Sequence, residues 1–203
     1  MTAIKNIIFD FGDVFINLDK PATQEHLDHF GIPQLEDSIL QLNTQYEKGE
    51  ISTEAFIKEY LNTYPKLSQD AFVNAWNSIL KDLPEYRLEF LQQLKKEGTY
   101  RLFLLSNTND LHIEWVKQNV DVYEEFKACF ETFYLSFKMH LRKPEKEIFQ
   151  HVLNENQLIA EETLFIDDTR EHVESAKSLG INTWHLNPQA EDVTDLFSKI
   201  NKA

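Results

Sequence analysis

Ile4-Lys5-Asn6-Ile7-Ile8-Phe9-Asp10-Phe11-Gly12-Asp13-Val14 is a nearly uninterrupted apolar run that delivers one carboxylate, Asp10, shortly before a glycine. A short run of this kind reads as a strand buried on both faces, as in parallel sheets. Open parallel sheets put their chemistry outside the carboxyl ends of their strands, so position alone makes Asp10 a candidate functional residue. Three further polar clusters follow in order: Ser106-Asn107 after Phe103-Leu104-Leu105, then Lys143, then Asp167-Asp168 after Leu164-Phe165-Ile166. Together they read as a phosphotransferase site.

Short apolar runs alternate with amphipathic stretches, the pattern of βαβ units around a parallel sheet. The expected strands are Ile4 to Phe9, Arg101 to Leu105, Thr132 to Leu135, Thr163 to Ile166 and Thr183 to Leu186. Crossover helices fall between them. Tyr86 to Lys96 carries Leu88, Leu91 and Leu94 and ends at Gly98; Pro144 to Leu153 starts with proline at the first helical position; Arg170 to Leu179 is closed by Gly180. From 16 to 85 no strand is evident and helix signals dominate. Ser52, with Glu54 behind it, caps a helix bearing Phe56, Tyr60 and Leu61; Ser68, with Asp70, caps another bearing Phe72, Ala75, Trp76 and Ile79. Pro21 to Phe30 and Leu35 to Tyr46 complete a helical cap at 16–85, inserted into a core made of 1–15 and 86–203.

The 203 residues, 42% of them hydrophobic, suffice for such a core. Twenty basic against 34 acidic residues leave a net charge of -14, which repels a polyanion, and no run of Lys or Arg offers a local exception. Nucleic acid is therefore not an expected partner. No stretch approaches the roughly 18 apolar residues of a membrane span, and a single early lysine, Lys5, ahead of a β-like run does not resemble a secretory signal. The expectation is a cytoplasmic protein without membrane contact, a monomer or weak homodimer. Cys129, the sole cysteine, excludes an intramolecular disulfide and a multi-cysteine metal site; among Phe126, Phe130 and Phe133 it reads as a buried spectator rather than a nucleophile.

Asp10 at a strand tip is open to three roles: metal ligand, helix cap or nucleophile. A carboxylate that attacks phosphorus needs a divalent cation to offset the charges brought together, and donors around the phosphoryl oxygens. Asp167-Asp168 can hold the cation, since all-oxygen ligation suits Mg²⁺; the same pair can also cap the helix from Arg170. Ser106-Asn107-Thr108-Asn109 stands between a strand and a helix starting near Asp110, as a phosphate cradle or as an ordinary capping cluster. Lys143, held out of the helix by Pro144, can place an ammonium on the Asp10 and phosphate charges or remain solvated.

Asp10 with Gly12, Ser106-Asn107, Lys143-Pro144 and Asp167-Asp168 resemble, in order, spacing and context, motifs I to IV of the haloacid dehalogenase superfamily. Leu105 to Asn109, Tyr134-Leu135-Ser136, Arg142-Lys143-Pro144 and Ile148 to Leu153 are particularly similar to its bacterial α-D-glucose-1-phosphate phosphatase branch. The resemblance implies an α/β fold with a three-layer, Rossmann-like parallel sheet and an inserted helical C1 cap. It further implies Asp10 as nucleophile and Mg²⁺ ligand, the Gly12 carbonyl and Asp168 as further ligands, and Asp167 beside them or acting through water. Ser106, Asn107 and Lys143 would hold the phosphoryl group. The implied activity is a Mg²⁺-dependent phosphatase of small phosphorylated metabolites, glucose 1-phosphate being the favoured example; the alternatives are a haloacid dehalogenase-type hydrolase and a non-catalytic regulatory relative.

The chain departs from the superfamily pattern at three places. Gly12 stands where most phosphatases of the superfamily carry an acid/base aspartate; the sugar-phosphatase branch often has glycine there, and Asp13 is one residue beyond. His140 stands where relatives often place glycine, and His172 where an asparagine commonly follows the acidic pair; neither histidine is expected to be catalytic. A cap inserted after the nucleophile strand covers the site, so leaving-group selection falls to residues such as Glu47 and Lys48, in the Tyr46-Glu47-Lys48-Gly49 turn, and to Trp76-Asn77.

Overall fold

The computed structural model describes residues 3–200. Strands β1 (Asn6–Phe9), β2 (Arg101–Ser106), β3 (Thr132–Leu135), β4 (Thr163–Asp167) and β5 (Asn182–His185) form one five-stranded sheet in the order β3-β2-β1-β4-β5. Every pair is parallel, as the α/β reading requires. Helices α1 (Ala22–Asp28), α2 (Asp37–Glu47), α3 (Thr53–Thr63) and α4 (Gln69–Asn77) lie between β1 and β2, followed by α5 (Glu85–Glu97). The remainder are α6 (Asp110–Asn119), α7 (Tyr123–Lys127), α8 (Ser136–Met139), α9 (Lys146–Glu155), α10 (Arg170–Lys177) and α11 (Leu196–Ile200). No described helix is long and apolar enough to cross a membrane.

The alternation along β1 produces the layers. Ile7 and Phe9 point to one face, where Leu102, Leu104, Leu164 and Ile166 meet Leu88, Leu91 and Leu94 of α5 and Ile113 and Val116 of α6. Ile8 points to the other, with Phe103, Leu105 and Phe165, against Ile148, Phe149 and Val152 of α9 and Ala176 of α10. Helices on both faces bury β1 and β4 completely and β2 beyond Arg101, which explains their unbroken apolar runs. A separate apolar cluster contains Leu27, Ile39, Tyr46, Phe56, Tyr60, Phe72 and Trp76, all from α1 to α4. Aromatic contacts organise it: Tyr46 stacks on Phe56 at 4.0 Å, and Tyr60 on Phe72 at 4.2 Å. Ser52 and Ser68 cap α3 and α4, each hydroxyl accepting a backbone N–H at 3.2 Å, and Gly98 closes α5 at φ +65°.

Several boundaries differ from the sequence reading. Pro144 is not the first residue of α9, which begins at Lys146 after an extended Glu145; Asn107 pins the Lys143 backbone, so the chain must turn before a helix can start. Helix α10 ends at Lys177, and Gly180, at φ +84°, terminates the turn after it rather than the helix itself. Strand β1 starts at Asn6 and β5 spans Asn182–His185. Cys129 is buried with Phe126 and Phe130, and burial pushes its thiol up, away from nucleophilic character.

Candidate active site

Register brings the polar clusters together. Phe9 pairs with Leu104 on one side and Ile166 on the other, so Asp10 leaves the sheet beside the ends of β2 and β4. Its amide donates to the Ile166 carbonyl at 2.9 Å. The chain leaves β1 toward β2 and later crosses to β4, which makes this crevice the switch point of the sheet.

Lys143 is the centre of the site. It is 0% exposed, and its ammonium donates to Asp10 Oδ1 and to Asp167 Oδ2, both at 2.6 Å. Burial alone would strip its proton, but two carboxylates at contact distance reverse the sign and raise its pKa. The two carboxylates fare differently. Burial pushes Asp10 up to about 7 against the pull of Lys143, with Asp167 and Asp168 adding repulsion. Asp167 is also buried, but Lys143 and His172 together hold it well below the usual carboxylate range.

Asp167 has little left to offer a ligand directly. Its Oδ1 accepts the Thr169 amide at 2.8 Å, and His172 Nδ1 lies 3.0 Å from both oxygens. Asp10 keeps Oδ2 on the Gly12 side, 4.0 Å from where a Gly12 Cβ would stand. Carboxylate oxygens of Asp10, Asp167 and Asp168 all lie within 4.8 Å of one another. An all-oxygen set at that spacing on two strand ends suits Mg²⁺, so the residues present fit such an ion. In such a site Asp10 and Asp168 would be the direct ligands, Asp168 while also paired with Lys20, and Asp167 would act through water.

On the β2 side Ser106 is 3% exposed, and its hydroxyl makes only a long 3.4 Å contact to the Asn107 carbonyl among the described residues. It is available to a ligand. Asn107 is largely committed: Nδ2 donates to the Lys143 carbonyl at 2.8 Å and Oδ1 accepts the Lys143 amide at 2.9 Å. This clamp aims Lys143 at Asp10. Asn109 caps α6 by accepting the His112 amide, and Thr108 donates its amide to Ser136 Oγ, so the end of this segment is structural.

The turn between α2 and α3 is docked onto residues 136–145. Gly49 has φ +65°, and a Cβ there would stand 2.0 Å from the Phe137 carbonyl oxygen, so only glycine fits this approach. Ser136 Oγ donates to the Glu47 carbonyl at 2.6 Å, and His140 Nδ1 lies 3.0 Å from the Lys48 carbonyl. His140 is itself at φ +56°, a conformation that glycine adopts without strain and other residues rarely do. The Glu47 carboxylate pairs with Arg142 at 2.8 Å; burial raises its pKa, with Arg142, His172 and Lys143 opposing. Lys48 turns away to Glu145 at 2.6 Å. Of Glu47 and Lys48, only Glu47 senses the central charges.

Sequence reasoning missed two contributors. Lys20 Nζ lies 2.6 Å from Asp168 Oδ2 and 2.8 Å from Asp13 Oδ2, an ammonium laid across the outer side of the site. Nothing in Asp19-Lys20-Pro21 marks it, because the contact forms only when the linker to the cap folds across β4. His172 is the second, a direct partner of the buried Asp167.

Three comparisons with known proteins bear on this geometry. The chain matches the haloacid dehalogenase-like hydrolase family over residues 4–180. A haloacid dehalogenase family enzyme from Bacteroides thetaiotaomicron, solved with magnesium and inorganic phosphate, is similar at TM-score 0.85 and 37% identity, covering 96% of this chain and 100% of that one. A structure from Porphyromonas gingivalis, described as a predicted HAD-like family hydrolase, reaches TM-score 0.85 at 26% identity with 100% of both chains covered. A D-ribitol-5-phosphate phosphatase from Bacteroides thetaiotaomicron is 27% identical over 190 residues, 89% of this chain and 91% of its own length.

Proposed function

This chain belongs to the haloacid dehalogenase-like hydrolase family, and from that premise we propose that it is a Mg²⁺-dependent phosphatase of small phosphorylated polyols or sugars. The observation that carries the reading is the buried Lys143 ammonium, 2.6 Å from both Asp10 and Asp167, with Asp168 in the same carboxylate cluster. A site of that composition gathers two charged oxygens for a cation and one carboxylate for attack. The relatives solved with magnesium and phosphate, and the ribitol-5-phosphate phosphatase, support the same chemistry.

In this reading Asp10 Oδ2 attacks phosphorus as the ester P–O bond breaks and the leaving oxygen takes a proton from water, Lys143 and Ser106 hold the phosphoryl oxygens, and water later cleaves the aspartyl-phosphate to free Asp10 and inorganic phosphate. Asn107 and His172 position Lys143 and Asp167. A bound Mg²⁺ would offset the charge of carboxylate and phosphate as they approach. Uncatalysed phosphomonoester hydrolysis can require acceleration of up to about 10²¹-fold, roughly 29 kcal/mol at about 1.36 per decade. One preorganised donor supplies only about 3 to 4 kcal/mol, so cation, ammonium and hydroxyl must act together. The cap of this reading occupies 16–85; the part that leaves the core is 22–77, since Ile16, Leu80 and Leu83 pack with the core. Glu47 is its candidate contact to substrate.

A panel of metabolite phosphates assayed in Mg²⁺ and in EDTA tests the proposal. Hydrolysis of polyol and sugar phosphates in Mg²⁺, abolished by EDTA and restored by added Mg²⁺, is the expected result. A preference for phosphopeptides, or activity indifferent to EDTA, rejects it.

Gly12 shapes which leaving groups are served. A Cβ on Gly12 would meet Leu18 Cδ1 at 2.8 Å, the end of a flexible side chain that can rotate aside. Gly12→Asp should therefore fold and supply the missing general acid, a contribution of about 10²- to 10⁴-fold where the leaving group needs a proton. Alkyl phosphates should gain more than aryl phosphates, whose phenolate departs unaided. Equal changes for both classes in folded protein would mean that Gly12 does not withhold a proton donor.

A further inference from the structure

We propose that Lys20 is a built-in counter-cation of the metal site: its ammonium, laid on Asp168, weakens the binding of Mg²⁺ there, and Mg²⁺ in turn loosens Lys20. The inference rests on the cation site of the phosphatase reading above and adds the residue that sets its affinity. Two ammonium groups touch the three clustered carboxylates. Lys143, buried, holds Asp10 and Asp167, whereas Lys20 Nζ lies 2.6 Å from Asp168 Oδ2 and 2.8 Å from Asp13 Oδ2. The Asp168 side chain is only 9% exposed and that of Lys20 is 57% exposed. Asp168 therefore has little water to screen it, and Lys20 is its one ion-pair partner among the described residues.

The two ammonium groups differ in what holds them. Lys143 is fixed in the core, but Lys20 belongs to the connection between β1 and the cap. That connection pairs with the returning one: Leu18 bridges to Leu80, the Asp19 amide donates to the Ile79 carbonyl at 2.8 Å and the Lys81 amide to the Asn17 carbonyl at 3.0 Å. Lys20 follows this ribbon and precedes Pro21 and α1, so its ammonium ties the base of the cap to the tip of β4. Lys20 and Asp13 also line a surface cavity of about 550 Å³ with Pro188 and Gln189, which leaves the ammonium room to move off Asp168. Mg²⁺ needs Asp168 as an anion, and an ammonium on the same carboxylate opposes it. Even in the dielectric of water, a monovalent and a divalent cation on one carboxylate repel enough to weaken binding about 10-fold.

The test is Mg²⁺ binding in the absence of phosphate, measured by calorimetry at low salt in wild-type, Lys20→Met and Lys20→Arg protein. An exposed ion pair adds little to stability, so the three should melt within about 4 °C of one another in EDTA. Kd for Mg²⁺ should fall about 10-fold in Lys20→Met and stay near wild type in Lys20→Arg, which keeps the charge. The gap should shrink in high salt, which screens charge and leaves packing alone. By reciprocity Mg²⁺ must loosen Lys20 from Asp168 by the same factor. Acetylation of the Lys20 amine by acetic anhydride, followed by mass spectrometry, should therefore be faster in Mg²⁺, while that of Lys58, exposed on α3, does not change. An unchanged or larger Kd in folded Lys20→Met would mean that Lys20 only holds Asp168 in place, and overturns the assignment. So does tightening in Lys20→Arg equal to that in Lys20→Met, or acetylation of Lys20 indifferent to Mg²⁺. Wild-type protein that binds no Mg²⁺ overturns the cation site of the phosphatase reading instead, and this assignment with it.

Discussion

Asp10→Asn protein should fold, bind phosphate esters and fail to turn them over, with kcat reduced roughly 10⁵- to 10⁶-fold, the scale of losing a covalent nucleophile. The amide keeps the shape of the side chain but cannot attack phosphorus. Stability should move the other way. Burial raises the Asp10 pKa to about 7, above its value in the unfolded chain. A group raised in this way favours the fold at low pH and loses that contribution as pH climbs through the folded value. At pH 8 in EDTA the ionised carboxylate therefore weakens the wild-type fold, and Asn removes that penalty while Lys143 keeps Asp167 as its partner. Asp10→Asn should melt at or above wild type under those conditions and show a smaller rise on adding Mg²⁺. Substantial hydrolysis by the purified variant would sink the covalent mechanism.

Much of this site was legible because strands that are buried on both faces betray their ends. The apolar runs before Asp10, Ser106 and Asp167 stop where polarity begins, and parallel pairing then brings those ends level, as Phe9 with Leu104 and Ile166 shows. Helix caps were legible for a similar reason: Ser52, Ser68 and Gly98 act through their own local backbone. What depends on distant segments was not. Lys20 meets Asp168 across 148 positions, and nothing local to either residue encodes that approach. Glu47 and Lys48 are neighbours with similar claims, yet one pairs with Arg142 and the other with Glu145, a choice made by how the turn docks against Phe137. Asn107 reads as a phosphate donor from its position, whereas its amide is occupied with the Lys143 backbone. Tyr46 and Trp76, next in sequence to the candidate contacts Glu47 and Asn77, are packed in the apolar cluster of the cap.

Lys143→Met should abolish activity and also weaken the fold, which separates it from Asp10→Asn. The ammonium is 0% exposed and its two carboxylate partners are buried, so its removal leaves like charges facing each other without compensation. Removing one partner of a buried ion pair costs about 3 to 5 kcal/mol, and each kcal/mol moves the melting temperature of a chain this size by about 2 to 4 °C. A fall of roughly 6 to 20 °C in EDTA at pH 8 follows from those scales. The loss should depend on pH with a definite sign. In wild type Asp167 is held below its unfolded value, so its contribution is present above the usual carboxylate pKa and lost only in strong acid. Without Lys143, burial and mutual repulsion raise Asp10 and Asp167 together, and carboxyls raised in the fold stabilise it at low pH and cease to do so as pH rises. The gap between wild type and Lys143→Met should therefore narrow toward pH 5 and widen toward pH 8. A constant gap across that range, measured in EDTA so that no cation replaces the ammonium, would mean that Lys143 supports the fold through packing against Phe165 rather than through charge.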